Sequence, residues 1–394
     1  MDSLVIHCQL PQIREEMVRR SCVIERKTDG KTTSTNTLWI DMPRLAVMPE
    51  ENDAEPFMIM AFLPAMAEGL DLQVEGAVSR ELQFSLTEFR DIWHCWDEKK
   101  FQKIEFGSSQ ILECQPGISN RQAVSAFSGG LDSTFTAWRH KTGTNPEVID
   151  LQYCMMVHGF DIPLRNDSMF QRMFARCKET LKTLDLELLP VRTNCRTVFT
   201  LNWLIWHGPA VAACLQLFKG VCGVGLLGGT YGCKDQHFPF GSNPISDPML
   251  STAGFRIMHD GIAFSRIKKF AALQEWSAGY NALRICFTGI DKGIIKEGNC
   301  GKCSKCVRSL LRIHFANLPI PGSFPGFPSV MDIARVRPSA FESHVWRIVL
   351  REAIAKRQRL SLILAVAWIS LVCSLAKIVK KSLQAVGIWG PSFP

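Results

Sequence analysis

Apolar runs of strand length alternate with longer helical stretches between residues 122 and 228. The runs at 122–127, 147–157, 186–192 and 221–228 predict strands, and the segments 133–141, 168–184 and 203–219 predict helices. Strands that are apolar on both faces need cover on both faces, and crossover helices supply it. This part of the chain is therefore expected to be α/β, a parallel sheet with helices on both faces, with ligand-binding atoms outside the carboxyl ends of the strands. Residues 1–115 read differently. Residues 36–40 predict a strand, 56–67 a helix ending near Gly69, and 70–76 alternate as a half-buried strand does, which together suggest a small α+β domain. Cys114-Gln115-Pro116-Gly117 has the composition of a linker. The expected organisation is an N-terminal α+β domain over 1–115, the α/β domain over 116–320 and a basic helical tail over 321–394.

The tail changes the picture in one respect. Residues 360–376 carry no formal charge and lie between Arg357 and Arg359 on one side and Lys377 on the other. That length is at the short limit for a membrane span and fits an interfacial or a buried helix equally well, so membrane association through the tail is left open.

Hydrophobic residues at 46% and charged residues at 21% describe an ordinary globular chain. The net charge of +8 is concentrated from Arg347 onward, where Arg351, Lys356, Arg357, Arg359, Lys377, Lys380 and Lys381 face only Glu352. Outside the tail the balance is near neutral and no basic stripe interleaves with aromatics, so a nucleic-acid partner is not expected. Fifteen cysteines and a start without a secretory pattern fit a reducing, cytoplasmic compartment. Self-association into a homo-oligomer is expected.

Candidate chemistry begins at Ser128-Gly129-Gly130-Leu131-Asp132-Ser133, which follows the run 122–127 and opens the helix 133–141. Two glycines at the end of a strand let backbone approach a phosphate closely, and the following helix start offers N–H groups and the positive end of its dipole to an anion. Ser128 and Ser133 add hydroxyl donors, and Asp132 caps the helix or helps hold a magnesium ion. A Walker loop is excluded. The one Gly-Lys-Thr, Gly30-Lys31-Thr32, has Glu25 where the first glycine is required. At the end of the fourth strand, Gly228-Gly229-Thr230 offers a second stretch of bare backbone, with Gly229 a candidate for contact with adenine, a phosphate or an acyl adenylate.

The second constellation is Cys286 followed by Cys300-Gly301-Lys302-Cys303-Ser304-Lys305-Cys306. Four thiolates suit a closed tetrahedral zinc site, and Gly298, Asn299 and Gly301 permit the tight backbone that aims neighbouring sulfurs at one ion. An iron–sulfur centre uses the same ligands, but the fourth Cys followed by Pro that would continue a ferredoxin run is missing after Cys306. His207 and His259 are candidates for acid–base work, His158 and Asp161 follow the second strand, and Asp247 reads as a turn residue.

The hexamer resembles the pyrophosphate loop of the N-type ATP pyrophosphatases, the PP-loop superfamily that includes asparagine, GMP and NAD synthetases. Combined with the downstream cysteines, it is similar to a divergent 7-cyano-7-deazaguanine synthase-like branch. The chain departs from the true synthases in lacking their Tyr-Pro-Asp-Cys-Arg substrate signature and in the length between Cys286 and Cys300. The resemblance implies an adenine nucleotide alpha-hydrolase-like fold and an ATP-dependent ligase or amidating enzyme. Such an enzyme adenylates a carboxylate or carbonyl oxygen, releases pyrophosphate, and lets ammonia or an amine attack. ATP, Mg2+ and Zn2+ are the implied cofactors, with an unidentified small carboxylate as substrate. Ser128, Gly129, Gly130, Leu131, Asp132, Ser133 and Gly229 would bind the nucleotide, with Asp132 and Ser133 also acting in catalysis. The segment Ser265-Arg266-Ile267-Lys268-Lys269 resembles the basic stretch by which PP-loop enzymes clamp phosphates, with Arg266 and Lys268 neutralising the leaving pyrophosphate. A tRNA- or nucleobase-modifying enzyme using the same activation, and a catalytically silent nucleotide-binding scaffold, are the alternatives.

Overall fold

The computed structural model describes residues 2–112, 121–142, 149–234, 240–286, 298–339 and 342–385. The expected linker Cys114-Gln115-Pro116-Gly117 and residues 147 and 148 lie outside them. Polar–apolar alternation first builds β1 (Ser3–Cys8), β2 (Gln12–Arg14), β3 (Met17–Thr28) and β4 (Lys31–Pro43). β3 and β4 are longer than the sequence suggested and form a hairpin closed by Asp29 and Gly30, at φ 51° and 76°. Asp-Gly suits this two-residue turn because both positions need positive φ. The Gly-Lys-Thr sequence is thus part of a hairpin, with no helix after it.

α1 (Glu55–Glu68) is the helix expected to end at Gly69, which caps it at φ 69°. It is apolar all round and buried from Glu55 to Met66. Pro64 lies inside it and has no N–H, so the Met60 carbonyl one turn back loses its helical partner. The Trp206 indole N–H replaces that partner at 2.9 Å. β5 (Asp71–Val78), α2 (Arg80–Trp96) and β6 (Phe106–Ile111) follow.

The predicted alternation appears next as β7 (Gln122–Ala126), α3 (Leu131–Thr142), β8 (Asp150–His158), α4 (Asp167–Lys182), β9 (Glu187–Thr193), α5 (Cys195–Val198), α6 (Trp203–Leu215), β10 (Val224–Gly228) and β11 (Arg256–Asp260). These five strands pair in parallel in the order β11-β10-β7-β8-β9. The expected parallel pairing holds for these five strands, but the sheet continues beyond them and is mixed as a whole. β4 pairs antiparallel with β9 at Ile40↔Thr193 and Asp41↔Arg192, and the hairpin strands continue beyond it as β4-β3-β1-β5-β6, with β2 paired to β3. Asn194 seals the junction: its amide donates to the Thr37 carbonyl at 2.8 Å and accepts from the Trp39 N–H at 2.9 Å. The fold is α/β, a large mixed and mostly parallel sheet flanked by helices. The strands β1 to β6 share that sheet with the strands that follow them.

A buried ion cluster lies between the early and late parts of this unit. Lys219 reaches Asp53 and Glu55, each at 2.6 Å, and both carboxylates are fully buried. The lysine's pKa is raised, because attraction to the two carboxylates outweighs the burial that opposes its charge.

By internal contact the chain forms two compact units, Met1–Ser128 with Asp132–Ala263, and Gly129–Leu131 with Phe264–Pro394. The second contains α7 (Arg266–Ala272), α8 (Ser277–Ala282), α9 (Ser304–Phe315), α10 (Val330–Ala334), α11 (Ser343–Ala355) and α12 (Leu360–Ala385). Its core gathers Val307, Leu311, Phe315, Ile333, Trp346, Val349, Leu362, Val366 and Ile369. Among the described residues no helix is long and apolar enough to cross a membrane.

Candidate functional site

In the order β11-β10-β7-β8-β9 the chain leaves β7 in one direction through β8 and β9 and returns on the other side through β10 and β11. The crevice between β7 and β10 is thus a topological switch point, where open α/β sheets bind ligands. The pairing Leu226↔Ser125 brings the carboxyl ends of both strands to the same level. One end leads into Ser128 and the other into Gly228-Gly229.

The loop after β7 is closed by its own hydroxyls. The Ser128 N–H donates to Ser133 Oγ at 3.2 Å, and the two hydroxyl oxygens lie 3.4 Å apart. Gly129 takes φ 72°, and its carbonyl accepts the Arg284 N–H at 2.7 Å. Leu131 is buried at the start of α3. The first turn of α3 bears the N–H groups that a helix leaves to outside partners, at the positive end of its dipole. β10 approaches this turn so closely that a β-carbon on Gly228 would lie 2.9 Å from the Asp132 carbonyl carbon. Glycine is required there by space.

Asp260, at the end of β11, fixes α3 from behind. Its carboxylate accepts from Thr136 Oγ1 at 2.8 Å, from Arg139 at 2.9 Å and from His140 Nε2 at 2.9 Å. Its carbonyl accepts the Gly229 N–H at 2.7 Å. Burial pushes this carboxyl up, but the bonds and charges of His140, Arg139 and Thr136 outweigh it and hold the group below the usual carboxylate range. The sequence reading missed this node. Arg139 and His140 look like ordinary cations of a last helical turn, and only the apolar residues before His259-Asp260-Gly261 hinted at a strand.

Asp247 is more than the turn residue it was expected to be. Fully buried, it accepts from His259 Nδ1–H at 2.8 Å, from Ser242 Oγ at 2.6 Å and from the Asn243 N–H at 3.1 Å. This bond orients the His259 ring through Nδ1. The His259 side chain is 2% exposed, and Nε2 has no hydrogen-bond partner among the described residues. A β-carbon on Gly229 would lie 2.5 Å from it. The other two histidines are occupied in packing. His207 Nδ1–H donates to the Trp203 carbonyl one turn back at 3.1 Å. His158 donates through Nε2 to the Pro163 carbonyl at 3.1 Å and stacks on Phe170, and burial lowers its pKa. Asp161 accepts the Trp203 indole N–H at 3.1 Å.

The basic segment forms the start of α7, where the Ser265 hydroxyl caps the Lys268 N–H at 3.4 Å. Lys268 is exposed and Arg266 half-buried, whereas Lys269 is fully buried.

The four cysteines converge. The sulfurs of Cys286, Cys300, Cys303 and Cys306 all lie within 4.8 Å of one another, with 3.8 Å between Cys286 and Cys303 and 3.9 Å between Cys300 and Cys306. A tetrahedron with zinc–sulfur bonds of about 2.3 Å has edges of about 3.8 Å, so the donor set fits that ion. The Lys302 and Cys303 N–H groups donate to the Cys300 sulfur at 3.4 and 3.3 Å. Hydrogen bonding to Cys286 and Cys303, with burial, drives the Cys306 thiol far above its ordinary range, a crowding that a dication reverses. Asn299 joins the two ligand segments. Its carbonyl oxygen accepts the Ile285 and Cys286 N–H groups at 2.7 and 3.0 Å, and its amide donates to the Leu283 carbonyl at 2.9 Å. Gly301, at φ 70°, makes the turn between the first two sulfurs of the run. The spacer 287–297 lies outside the described residues.

A scan against family models finds no match to this chain, and searches of curated proteins and of solved structures find none either.

Proposed function

We propose that the chain is a PP-loop, adenine nucleotide alpha-hydrolase-like enzyme that uses ATP and magnesium to activate a carboxylate or carbonyl oxygen, in the manner of a 7-cyano-7-deazaguanine synthase-like ligase. The observation that carries this reading is the position of Ser128-Gly129-Gly130-Leu131-Asp132-Ser133 at the switch point, beside the bare backbone of Gly228-Gly229. The substrate oxygen attacks the α-phosphorus of ATP, and the bond to the bridging oxygen of pyrophosphate breaks. Ammonia or an amine then attacks the activated carbon and AMP leaves, the spent proton passing to solvent or a base. Ser128, Ser133 and the first turn of α3 bind the departing pyrophosphate, and Asp132 holds magnesium. The resemblance to the basic stretch of PP-loop enzymes gives Arg266 and Lys268 the task of neutralising charge on that group. Activation replaces a poor oxygen leaving group by AMP.

The Cys286, Cys300, Cys303 and Cys306 cluster is assigned to structural zinc. A sulfur-transferring modifier would need a reactive cysteine pair, whereas these four sulfurs all lie within 4.8 Å of one another, as the ligands of one ion do. The test is product analysis: purified protein with ATP, magnesium and a metabolite pool should yield AMP and pyrophosphate. ADP and phosphate as the only products would remove the PP-loop assignment.

A further inference from the structure

The two long faces of α12 are both apolar, and only one is covered. Leu362, Ala365, Val366, Ile369 and Cys373 point into the core of the second unit. On the opposite side Leu360, Leu364, Trp368, Leu371, Leu375 and Ile378 form a stripe, each more than half exposed. At a rise of about 1.5 Å per residue the stripe is about 27 Å long. An uninterrupted apolar strip of that length on a water-facing helix marks an interaction surface.

Charge decides between its occupants. Lys356, Arg357 and Arg359 are exposed just before the stripe, the sequence places Lys377, Lys380 and Lys381 at its far end, and no acidic residue follows Glu352. A second copy of α12 would bring cations against cations with no carboxylate on either helix to pair with them. An anionic lipid surface accepts both the cations and the stripe. We infer that α12 lies flat on anionic membranes, its Leu360-to-Ile378 stripe inserted at the headgroup boundary and its basic ends on lipid phosphates or carboxylates. This inference rests on α12 alone and is independent of the proposed ATP chemistry.

The test is flotation of the full chain with vesicles of phosphatidylcholine alone or with about one third phosphatidylserine. The chain should float with the anionic vesicles and bind them at least about tenfold more tightly than neutral ones. The triple variant Leu364→Glu, Trp368→Glu, Leu371→Glu should stay at the bottom of the gradient with its metal content and thermal unfolding unchanged. Should that variant fail to fold, Lys356→Gln with Arg359→Gln alters surface charge only, and its binding should fall roughly 25-fold, at about fivefold per basic residue. Wild-type protein that does not float with anionic vesicles would overturn the inference. So would a dimer in sedimentation that the triple variant converts to monomer while vesicle binding is absent from both, since the occupant would then be a second copy.

Discussion

The Trp206 indole N–H and the Met60 carbonyl meet at 2.9 Å because Pro64 deprives that carbonyl of its helical donor. Trp206→Phe leaves the carbonyl buried and unsatisfied and should cost about 1–3 kcal/mol in urea unfolding. Adding Pro64→Ala restores an N–H one turn away and should return at least about 1 kcal/mol. A strictly additive double variant would refute this account of the pair.

Gly228 is expected to be intolerant of even one methyl group. Gly228→Ala places its β-carbon 2.9 Å from the Asp132 carbonyl carbon and must displace the first turn of α3. ATP binding, measured by calorimetry, should weaken about tenfold or more while the far-ultraviolet circular dichroism spectrum is kept. In a pyrophosphate-release assay Asp132→Asn and Ser133→Ala should reduce turnover on the order of a hundredfold, since on the proposed reading each removes a phosphate or metal contact.

Zinc content should be about one per chain by plasma emission. Cys303→Ser should lose it and unfold at much lower temperature, because binding energy at a closed site is folding energy. Asn299→Ala keeps all four sulfurs but unties Cys286 from the knuckle, and should weaken retention about 10- to 100-fold against a chelator. A visible charge-transfer band with stoichiometric iron would replace zinc in this assignment.

Asp260 should make stability sensitive to acid. Its folded carboxyl titrates below the ordinary value of about 3.9. Its contribution is therefore complete above that value and is lost as pH falls through the lower folded value. Asp260→Asn should lower the urea midpoint by a constant amount between pH 7 and 5, with the gap closing below about pH 4. A gap independent of pH down to 3 would show that the carboxylate charge is not what holds α3.

The strands and helices between 122 and 228 were legible because each is apolar in one period and is followed by an element of the other. The first half of β4 was not, since Lys31-Thr32-Thr33-Ser34 is polar and mostly exposed, and only 36–40 reads as apolar strand. The hexamer from Ser128 to Ser133 and the convergence of Cys286, Cys300, Cys303 and Cys306 were legible as local spacings. The Asp260 node was not, because its donors lie about 120 residues upstream and each looks like a common helix residue. Asp247 likewise became a histidine partner only when the fold brought β11 beside it. Lys269 differs from Lys268 in burial, a property that adjacent positions of a helix do not announce.

The pairing of β4 with β9 also sets a schedule for synthesis. A strand complete at Pro43 acquires its second neighbour only when Thr193 has been made, about 150 residues later. At ~5–20 residues per second, that is on the order of ten seconds at the ribosome. Throughout it the apolar half of β4, Leu38 to Met42, offers an unpaired edge to any other extended chain. The hairpin turn and the polar half of the strand blunt that edge on one side only. A nascent chain arrested before residue 193 keeps that edge open, and chaperones or proteases that recognise extended chains have until β9 emerges to engage it.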